Sequence, residues 1–409
     1  MEERDLLFEW NPGLSEEERG RRVMLMEETL REGLQSPSTI NPTIEQKLRL
    51  IHLMDELGID SLNLGIPAVS SRVKDEITAM AQEIADAKLN LSPLLSGRTL
   101  VADIIPAIQV RDKVGIPFEM ALFIGVSRLR QFVEGWGLRE IMEKVEESVS
   151  FAVKAGFKVM FVTEDTTRSF PEDLREVYTA AINAGASRVC FADTVGGITP
   201  EGVMRLIGYM RELLPEGVEI DWHGHRDRGL ELANALTAIK AGATRVHTAA
   251  LGIGERCGNT PTELVLVNLR LMGYTERDLT KLPEYCRLVS EYMKVPIPGN
   301  YPVVGKDAFR TATGVHAAAV IKAEERGEYW MADKIYSAVP ATMLGRGQQI
   351  EISQMSGRSN VRYWLKKRGI EPTENLVDRI LSLAKSSSRV LEEREIMEFI
   401  GLTGEKEAK

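Results

Sequence analysis

Helix-like and strand-like segments alternate regularly through the first two thirds of the chain. Amphipathic stretches end in a small residue and a glycine, and a nearly continuous apolar run follows, as in ELGIDSLNLG, KAGFKVMFVTED and NAGASRVCFADT. Glycine readily ends a helix, and an unbroken apolar run is typical of a strand buried on both faces of a parallel sheet. The pattern therefore predicts a series of βα units.

Eight strands are predicted, each followed by a helix, and together they span roughly 250 residues. The predicted strands are Arg22–Met26, Ser61–Leu64, Leu89–Ser92, Glu119–Ile124, Lys158–Val162, Arg188–Ala192, Glu219–Trp222 and Arg245–Ala249. Eight units of this length predict a TIM (β/α)8 barrel of the α/β class. The alternative, an open doubly wound sheet, is disfavoured because no GxGxxG turn follows the first strand.

Three helix starts carry a capping signal. Thr43 and Gln46 have the spacing of a capping box, in which each side chain bonds the backbone N–H of the other residue. Thr199 and Thr260 each precede a proline, which is favoured at the first helical position. Thr260 with Glu263 again fits a capping box. We expect helices to begin at these residues.

The alternation stops near Met272, and the rest of the chain is predicted to form helices joined by irregular segments. We predict a catalytic barrel with a short N-terminal extension at residues 1–275. A linker and a helical subdomain carrying His316 are expected at 276–330, and a small C-terminal subdomain at 331–409. The barrel is thus expected to carry mostly helical C-terminal subdomains, and residues 404–409 a frayed tail.

Composition narrows the class of protein without indicating a reaction. The 409 residues carry a formal net charge of −9 and are 44% hydrophobic, as in ordinary soluble globular proteins. An acidic chain is unsuited to coating nucleic acid. The sequence contains no run of about 18 apolar residues, so no membrane span is predicted. The acidic N-terminus lacks the apolar core of a secretory signal, and three scattered cysteines predict no disulfide framework. We therefore expect a cytoplasmic protein with neither nucleic-acid nor membrane partners.

The sharpest chemical signal is the sequence HGHRD at the end of the seventh predicted strand. His223 and His225 are two residues apart, so in a strand they point to the same side and can bind one ligand. Active sites of TIM barrels lie at the carboxyl ends of the strands. Glu32 follows the first strand at that same rim, and two imidazoles with one carboxylate form an open divalent-metal site. Asp227 is predicted to orient one of the histidines.

The other candidate residues are weaker. The glycine-rich loop GIGERCGN is interpreted as a tight βα turn, although Asn259 in it could coordinate or hydrogen-bond near the metal. His247 lies within the eighth predicted strand and is expected inside the barrel, and His52 is expected to be structural. His316, taken by its sequence context alone, is a lone histidine near a helix start and is expected to be structural.

Six motifs in order resemble the isopropylmalate synthase/homocitrate synthase family of metal-dependent TIM barrels, which condense acetyl-CoA with 2-oxo acids. The motifs are TLREGLQ, TEDTTR, DTVGGITP, HGHRDRGLELANAL, GIGERCGNTPTE and PVVGKDAFRTATGVHAA. The resemblance covers about residues 23–365. Six motifs in the same order are far more specific than any one of them.

The resemblance implies an acyltransferase that condenses acetyl-CoA with a 2-oxo acid and then hydrolyses the thioester. It also implies a divalent metal (Mg, Mn, Zn, Co or Fe) and a homodimer in which the C-terminal region completes the partner's site. The implied metal ligands are Glu32, His223, His225 and Asn259. The implied catalytic residues are Arg31, facing the carbonyl or enolate oxygen, Glu164, His316 and Tyr336. The implied substrate-binding residues are Gln35 and Thr194, the latter for the acceptor's carboxylate.

Three features depart from the family pattern or refine it. Glu32 stands where many members have Asp, which preserves chelation, and Arg226 replaces the usual Asn or Asp of HxHND and is predicted to supply a cation to the substrate. Arg130, in FIGVSRLRQF, is predicted to pair with a second acidic group on the acceptor. The alternative is that Arg130 makes only a surface ion pair. The chain is also expected to lack the leucine-binding regulatory domain of long isopropylmalate synthases.

These residues favour an anionic, homocitrate-like acceptor, which would be 2-oxoglutarate, oxaloacetate or a phosphorus-bearing pyruvate analogue. One alternative is a 2-isopropylmalate or citramalate synthase with an apolar acceptor. Another is a lyase or aldolase of the same barrel group. A third is a catalytically inactive binding or scaffold barrel, against which the joint presence of Arg31, Glu32, His223 and His225 argues.

Overall fold

The computed structural model of the protein describes residues 5–16 and 18–402, so the tail expected at 404–409 lies outside the described residues. Parallel strands form a closed barrel in the order β1 to β8, and β8 pairs with β1 to close it. The strands are β1 Met24–Glu27, β2 Ser61–Gly65, β3 Ser92–Arg98, β4 Glu119–Gly125, β5 Lys158–Glu164, β6 Arg188–Asp193, β7 Glu219–Gly224 and β8 Arg245–Thr248. The predicted TIM barrel is confirmed.

Seven strands overlap their predicted spans closely, but the third prediction, Leu89–Ser92, is wrong. The strand begins at Ser92 and runs to Arg98. Pro93 lacks an N–H, and a proline normally argues against the interior of a strand. The pairing of β3 with β4 begins only at Leu94, so the proline lies in the second position, before that ladder starts.

Helices cover the barrel and follow each strand. In the described part of the chain they are α1 Ile44–Glu56, α2 Ser71–Asp86, α3 Val101–Val114, α4 Arg128–Glu134, α5 Leu138–Lys154, α6 Pro171–Asn183, α7 Pro200–Leu213, α8 Glu231–Ala241, α9 Thr262–Leu271, α10 Leu282–Met293, α11 Gly314–Glu325, α12 Tyr329–Lys334, α13 Arg358–Lys366, α14 Glu374–Ser386 and α15 Glu393–Phe399. None of the described helices is long and apolar enough to cross a bilayer.

Two of the three predicted caps are confirmed and one is wrong. Thr43 forms the capping box of α1, and the Thr199 side chain accepts from the backbone of α7. The Thr260–Glu263 box does not form, because α9 begins later, at Thr262. The Thr260 hydroxyl instead donates to the carbonyl of Gly224 at 3.3 Å, and Glu263 accepts from a backbone N–H of the preceding loop. Neither side chain caps the helix: Thr260 bonds the end of β7, and Glu263 bonds the loop before α9.

The chain divides into two compact units, Met1–Pro296 and Ile297–Lys409. The unit that holds the barrel extends beyond the predicted residue 275, because α10 packs on it and buries Tyr285 completely. The second unit contains a short parallel pair, β9 Arg310–Thr311 and β10 Gln349–Ile350, and two buried apolar clusters. One cluster joins α11 and α12, and the other joins α13, α14 and α15.

Charged side chains occupy the amino-terminal end of the barrel interior. The first residues of the even-numbered strands form one layer across the barrel, and three of the four are charged: Ser61, Glu119, Arg188 and Arg245. Alternate strands contribute the side chains of one layer in this fold, and aliphatic residues are usual there. Here Arg245 Nη1 donates to Glu119 at 2.7 Å and to Ser61 at 3.3 Å.

Asp221, on β7, joins this layer to the rest of the interior. Its carboxylate, completely buried, accepts from Arg188 at 2.5 Å, from Arg245 at 2.7 Å and from His247 at 2.9 Å. Burial alone would raise the pKa of Asp221, but the two guanidinium groups outweigh it and hold that pKa well below its usual value. A carboxylate so placed compensates two buried cations at once.

Replacing Asp221 with Ala is expected to lower the free energy of unfolding by about 3–5 kcal/mol, because two buried guanidinium groups lose a shared anion. Urea titration followed by far-UV circular dichroism would measure this. The control is Arg139→Ala, which breaks an exposed pair with Glu143 on α5 and should cost less than about 1 kcal/mol. Equal losses in the two variants would show that Glu119 alone compensates the buried arginines.

Candidate active site

A cavity of about 270 Å³ opens at the carboxyl end of the barrel. Its wall mixes charged, polar and apolar side chains from nearly every strand and from the loops that follow. The lining residues are Glu28, Arg31, Glu32, Gln35, Asn63, Ile66, Ser96, Ala121, Phe123, Met160, Val162, Glu164, Cys190, Ala192, Thr194, His223, His225, His247 and Glu255. Parallel strands all end at this rim, which explains why residues distant in sequence meet here.

Three residues predicted as metal ligands lie together in this cavity. The Nε2 atoms of His223 and His225 are 3.3 Å apart, and one ligand atom from each of Glu32, His223 and His225 lies within 4.8 Å of the others. His223 is in β7 and His225 follows it directly, so the two imidazoles share a side as predicted. Glu32 comes from the loop after β1.

The environment keeps both imidazoles neutral. Burial lowers the pKa of His223 well below its ordinary value, and the neighbouring His225 adds to this. Burial and the Arg256 guanidinium together lower the pKa of His225 to about 4. A histidine binds a metal only in its neutral form. The site therefore presents metal-binding imidazoles throughout the physiological pH range.

Unsatisfied oxygen atoms also fit a cation. Glu32 Oε2 and Asn259 Oδ1 are buried and have no hydrogen-bond partner among the described residues. Asn259 Nδ2 donates to the carbonyl of Ile253 at 3.2 Å, which fixes the amide, and Asn259 bridges His225 through the backbone. Imidazole, carboxylate and amide oxygen suit Mg, Mn, Zn, Co or Fe. The residues present therefore fit a divalent metal.

The same cavity is lined by the predicted catalytic residues Arg31 and Glu164 and by the predicted substrate-binding residues Gln35 and Thr194. Arg31 forms an ion pair with Glu32. Burial raises the pKa of Glu164, although the charges of Arg130 and Arg31 oppose this. The Thr194 hydroxyl accepts from the backbone N–H of Asp165 at 2.7 Å, so its own hydrogen can point toward a ligand.

Arg130 lies on α4 and lines a second, adjoining cavity of about 270 Å³. Glu164 and Thr194 line both cavities, so the two are neighbours that share these side chains. Arg130 is half exposed and pairs with Glu134 one helical turn away at 3.2 Å. The structure thus contains the surface pair, and it also places the guanidinium beside the site.

Two residues of the HGHRD segment point elsewhere. Arg226 is absent from the cavity wall; it lies 3.5 Å from Glu231 and packs under the loop after β8. Gly252 in that loop lies so close to Arg226 that a Cβ atom added to the glycine would be 2.6 Å from Nη1 of the arginine. The geometry gives no support to a substrate-binding Arg226. The Asp227 carboxylate accepts from Arg256 at 3.0 Å, and its predicted role in orienting a histidine stays a prediction.

His316 and Tyr336 belong to the second unit. Their rings stack with centroids 4.1 Å apart and planes 28° from parallel, and both side chains are exposed. His316 is the third residue of α11, which begins at Gly314. The catalytic roles of the two residues remain predictions. Because the two rings stack, they lie on the same surface of their unit.

Sequence reasoning assigned no role to several polar residues on the cavity floor. Glu28 accepts from Asn63 at 3.1 Å, and Asn63 donates to Ser96 at 2.9 Å. His247 is buried beside them, as expected of a barrel-interior histidine, and bonds Asp221. Asn63, Ser96 and His247 stand on β2, β3 and β8, where alternate residues point into the barrel, and that alternation could have indicated them as cavity residues. One oxygen of the buried Glu28 has no hydrogen-bond partner among the described residues, so the floor of the cavity presents a free acceptor.

Residues 22–289 match the HMGL-like family, which is about two thirds of the chain. The chain belongs to the HMGL-like family. The homocitrate synthase of Pyrococcus horikoshii is 34% identical to it over 366 residues, covering 89% of this chain and 95% of that protein. The probable 2-isopropylmalate synthase of Methanopyrus kandleri is 34% identical, and the match covers 89% of this chain and 69% of that protein. The predicted family resemblance is thus confirmed.

Solved structures show the same fold. The HMG-CoA lyase of Bacillus subtilis superposes with a TM-score of 0.58 at 22% identity, covering 68% of this chain and 96% of that one. At this identity the likeness concerns the barrel architecture alone. The likeness agrees with the closed eight-stranded barrel found in this chain.

Replacing His225 with Gln is expected to weaken Mn²⁺ binding by at least about 10-fold, because a neutral imidazole nitrogen is lost from the site. Electron paramagnetic resonance of free Mn²⁺ in titrations of EDTA-treated protein would give the dissociation constant. His52→Gln is the control, since His52 lies on α1 and bonds Glu83 at 2.7 Å. Unchanged binding in the His225 variant would remove that residue from the ligand set.

Proposed function

We propose that this protein is an acyltransferase that condenses acetyl-CoA with a 2-oxo acid and hydrolyses the thioester. The products would be CoA and a 2-hydroxy acid with a newly formed carboxymethyl branch. The observation that carries the proposal is the cavity, where Arg31 and Thr194 lie beside the cluster of Glu32, His223 and His225. The named homocitrate and isopropylmalate synthases among the relatives support the same reaction class.

The residues of the cavity suit the two halves of such a reaction. A divalent cation held by Glu32, His223, His225 and Asn259 would polarise the acceptor's carbonyl as a Lewis acid. Thr194 donates its free hydroxyl hydrogen to the acceptor's carboxylate. Arg31 stabilises the negative charge that develops on the oxygen as the new carbon–carbon bond forms. Gln35 and Glu164 line the pocket and orient the acceptor.

A proton must also leave the methyl group of acetyl-CoA, which is weakly acidic. We assign this part of the site to His316 and Tyr336, acting from the C-terminal unit, with a homodimer in which each subunit completes the partner's site. The stacked, exposed rings of the two residues are compatible with a surface that closes over substrate. Hydrolysis of the thioester then makes the overall reaction effectively irreversible.

The acceptor is proposed to be anionic and homocitrate-like, which is supported by the position of Arg130 beside Glu164 and Thr194. A carboxylate or phosphonate at the far end of the acceptor would meet this guanidinium in a charge-assisted hydrogen bond. An apolar acceptor, as in 2-isopropylmalate or citramalate synthesis, would leave Arg130 with only its Glu134 partner. Three free cysteines support the cytoplasm as the compartment.

The condensation is tested with purified protein, Mg²⁺ or Mn²⁺, acetyl-CoA and a panel of 2-oxo acids, by the appearance of free thiol. We expect acceptor-dependent CoA release that EDTA abolishes and that Arg31→Ala lowers at least about 100-fold, as for loss of an oxyanion donor. Cleavage of a hydroxy acid without acetyl-CoA would favour the lyase alternative. No turnover with any acceptor would favour the inactive scaffold.

Acceptor choice is tested with Arg130→Ala against Glu134→Gln. Loss of a charge-assisted hydrogen bond, about 1.5–3 kcal/mol, should raise the KM of a dicarboxylic acceptor about 10- to 100-fold in the Arg130 variant. The KM for acetyl-CoA should not change. Glu134→Gln removes the surface partner and leaves the guanidinium, so it should leave both constants near wild type. Equal effects of the two substitutions would show that Arg130 serves the ion pair only.

A further inference from the structure

The last residue of β1 carries a carboxylate that faces away from the cavity and is completely buried. Four donors converge on Glu27. Its Oε2 accepts from the backbone N–H of Thr29 at 2.6 Å, and its Oε1 accepts from the hydroxyls of Thr29, Thr262 and Tyr285, each at 2.8 Å. Four donors match the acceptor capacity of one buried carboxylate. They come from three separate segments, the loop after β1, the start of α9 and α10, so this one group connects all three.

Glu27 holds both ends of the loop between β8 and α9, one end directly through Thr262 and the other through Thr29. Thr262 is the first residue of α9, at the end of the loop. At the beginning of the loop, Ala250 donates its N–H to the Thr29 hydroxyl at 2.8 Å, and that hydroxyl in turn donates to Glu27. Both ends of the loop that carries Asn259 are therefore held at one carboxylate.

Thr29 itself belongs to the loop after β1, which carries the opposite side of the site. Thr29 precedes Glu32 by three residues in the chain. The two loops also touch, since a Cβ at Gly33 would lie 2.9 Å from the Cδ1 atom of Ile253, whose carbonyl holds the Asn259 amide. The hydrogen bonds at Glu27 therefore help to set the distance between Glu32 and Asn259.

We propose that Glu27 is a positioning residue for the metal site, and that its buried carboxylate sets the separation of Glu32 from Asn259 without touching either metal or substrate. The proposal rests on the assignment of Glu32 and Asn259 to the cation site. It does not depend on which reaction the site performs. Tyr285, from α10, is the donor that anchors this arrangement to the outer layer of helices.

A carboxylate meets these donors in a way that an amide cannot. Both oxygens of Glu27 accept, whereas glutamine has one oxygen and an NH₂ group. In the Gln variant the NH₂ group either opposes the N–H of Thr29, donor against donor, or faces the three hydroxyls, which then lose the acceptor they share and must turn their hydrogens elsewhere. Burial raises the pKa of Glu27 to about 7 against the effect of the four donors, so the comparison is made at pH 8.5, where the group is ionised.

The experiment compares full-length wild type with Glu27→Gln by Mn²⁺ titration, without acetyl-CoA or any 2-oxo acid. The expected result is a dissociation constant at least about 10-fold weaker, as for groups that orient metal ligands. Tyr285→Phe removes a single donor and should weaken binding by a smaller factor. It keeps the proposal testable if the Gln variant does not fold.

The matched control is Asp60→Asn. Asp60 accepts from the N–H of Leu25 at 2.9 Å and so holds the opposite end of the same strand, where it also pairs with Arg277. Its loss should lower the melting temperature and leave Mn²⁺ affinity unchanged. Wild-type affinity in both Glu27→Gln and Tyr285→Phe would overturn the proposal. Equal weakening in Glu27→Gln and Asp60→Asn would also overturn it, because the effect would then follow stability alone.

These outcomes are distinct from failure of the proposed function. Absence of acceptor-dependent CoA release from wild-type protein would contradict the condensation and leave the Mn²⁺ comparison valid. Conversely, normal Mn²⁺ binding by both the Glu27 and the Tyr285 variants would refute the positioning role even if the wild type condenses acetyl-CoA as proposed. If wild-type protein bound no Mn²⁺, the positioning role would be refuted together with the cation site.

Discussion

Hydrogen bonding between β1 and β8 closes the barrel, and the position of the site follows from that closure. The pairing runs from Met24 with Arg245 to Glu27 with Thr248. It brings the first and last strands side by side, so the loops that carry Glu32 and Asn259 become neighbours although more than half the chain separates them. In an open sheet the same two loops would lie at opposite edges, and the site at the end of β7 would lose one of its walls.

The interior that this closure encloses is unusually polar. Two buried arginines, Asp221, His247 and Glu28 form a continuous line from the amino-terminal layer to the floor of the cavity. Burying so many charges is costly unless each has a partner. The pairing fixes the side chains in place and gives the cavity a rigid polar floor. Rigid, desolvated donors and acceptors are what a site needs to stabilise charge during a reaction.

Desolvation also sets the chemistry of the groups at the rim. It keeps His223 and His225 neutral and therefore able to bind metal, and it raises the pKa of Glu164. Cations next to the cavity, Arg31 and Arg130, counter the accumulated negative charge of the carboxylates. The net charge of −9 for the whole chain has little bearing on an anionic acceptor, because the field inside the site comes from these nearby groups.

The eight βα units, the shared side of His223 and His225 and the first two helix caps follow from the amino-acid pattern alone. Each of these depends on residues two to four positions apart, whose geometry is set by the local period of strand or helix. The folded barrel was needed to show that β3 begins at Ser92, that Thr260 and Glu263 bond a strand and a loop, and that Arg226 and Asp227 pair with Glu231 and Arg256. It also shows that Glu27 joins two distant loops. In these cases a side chain had several possible partners, and barrel closure selected among groups far apart in the chain.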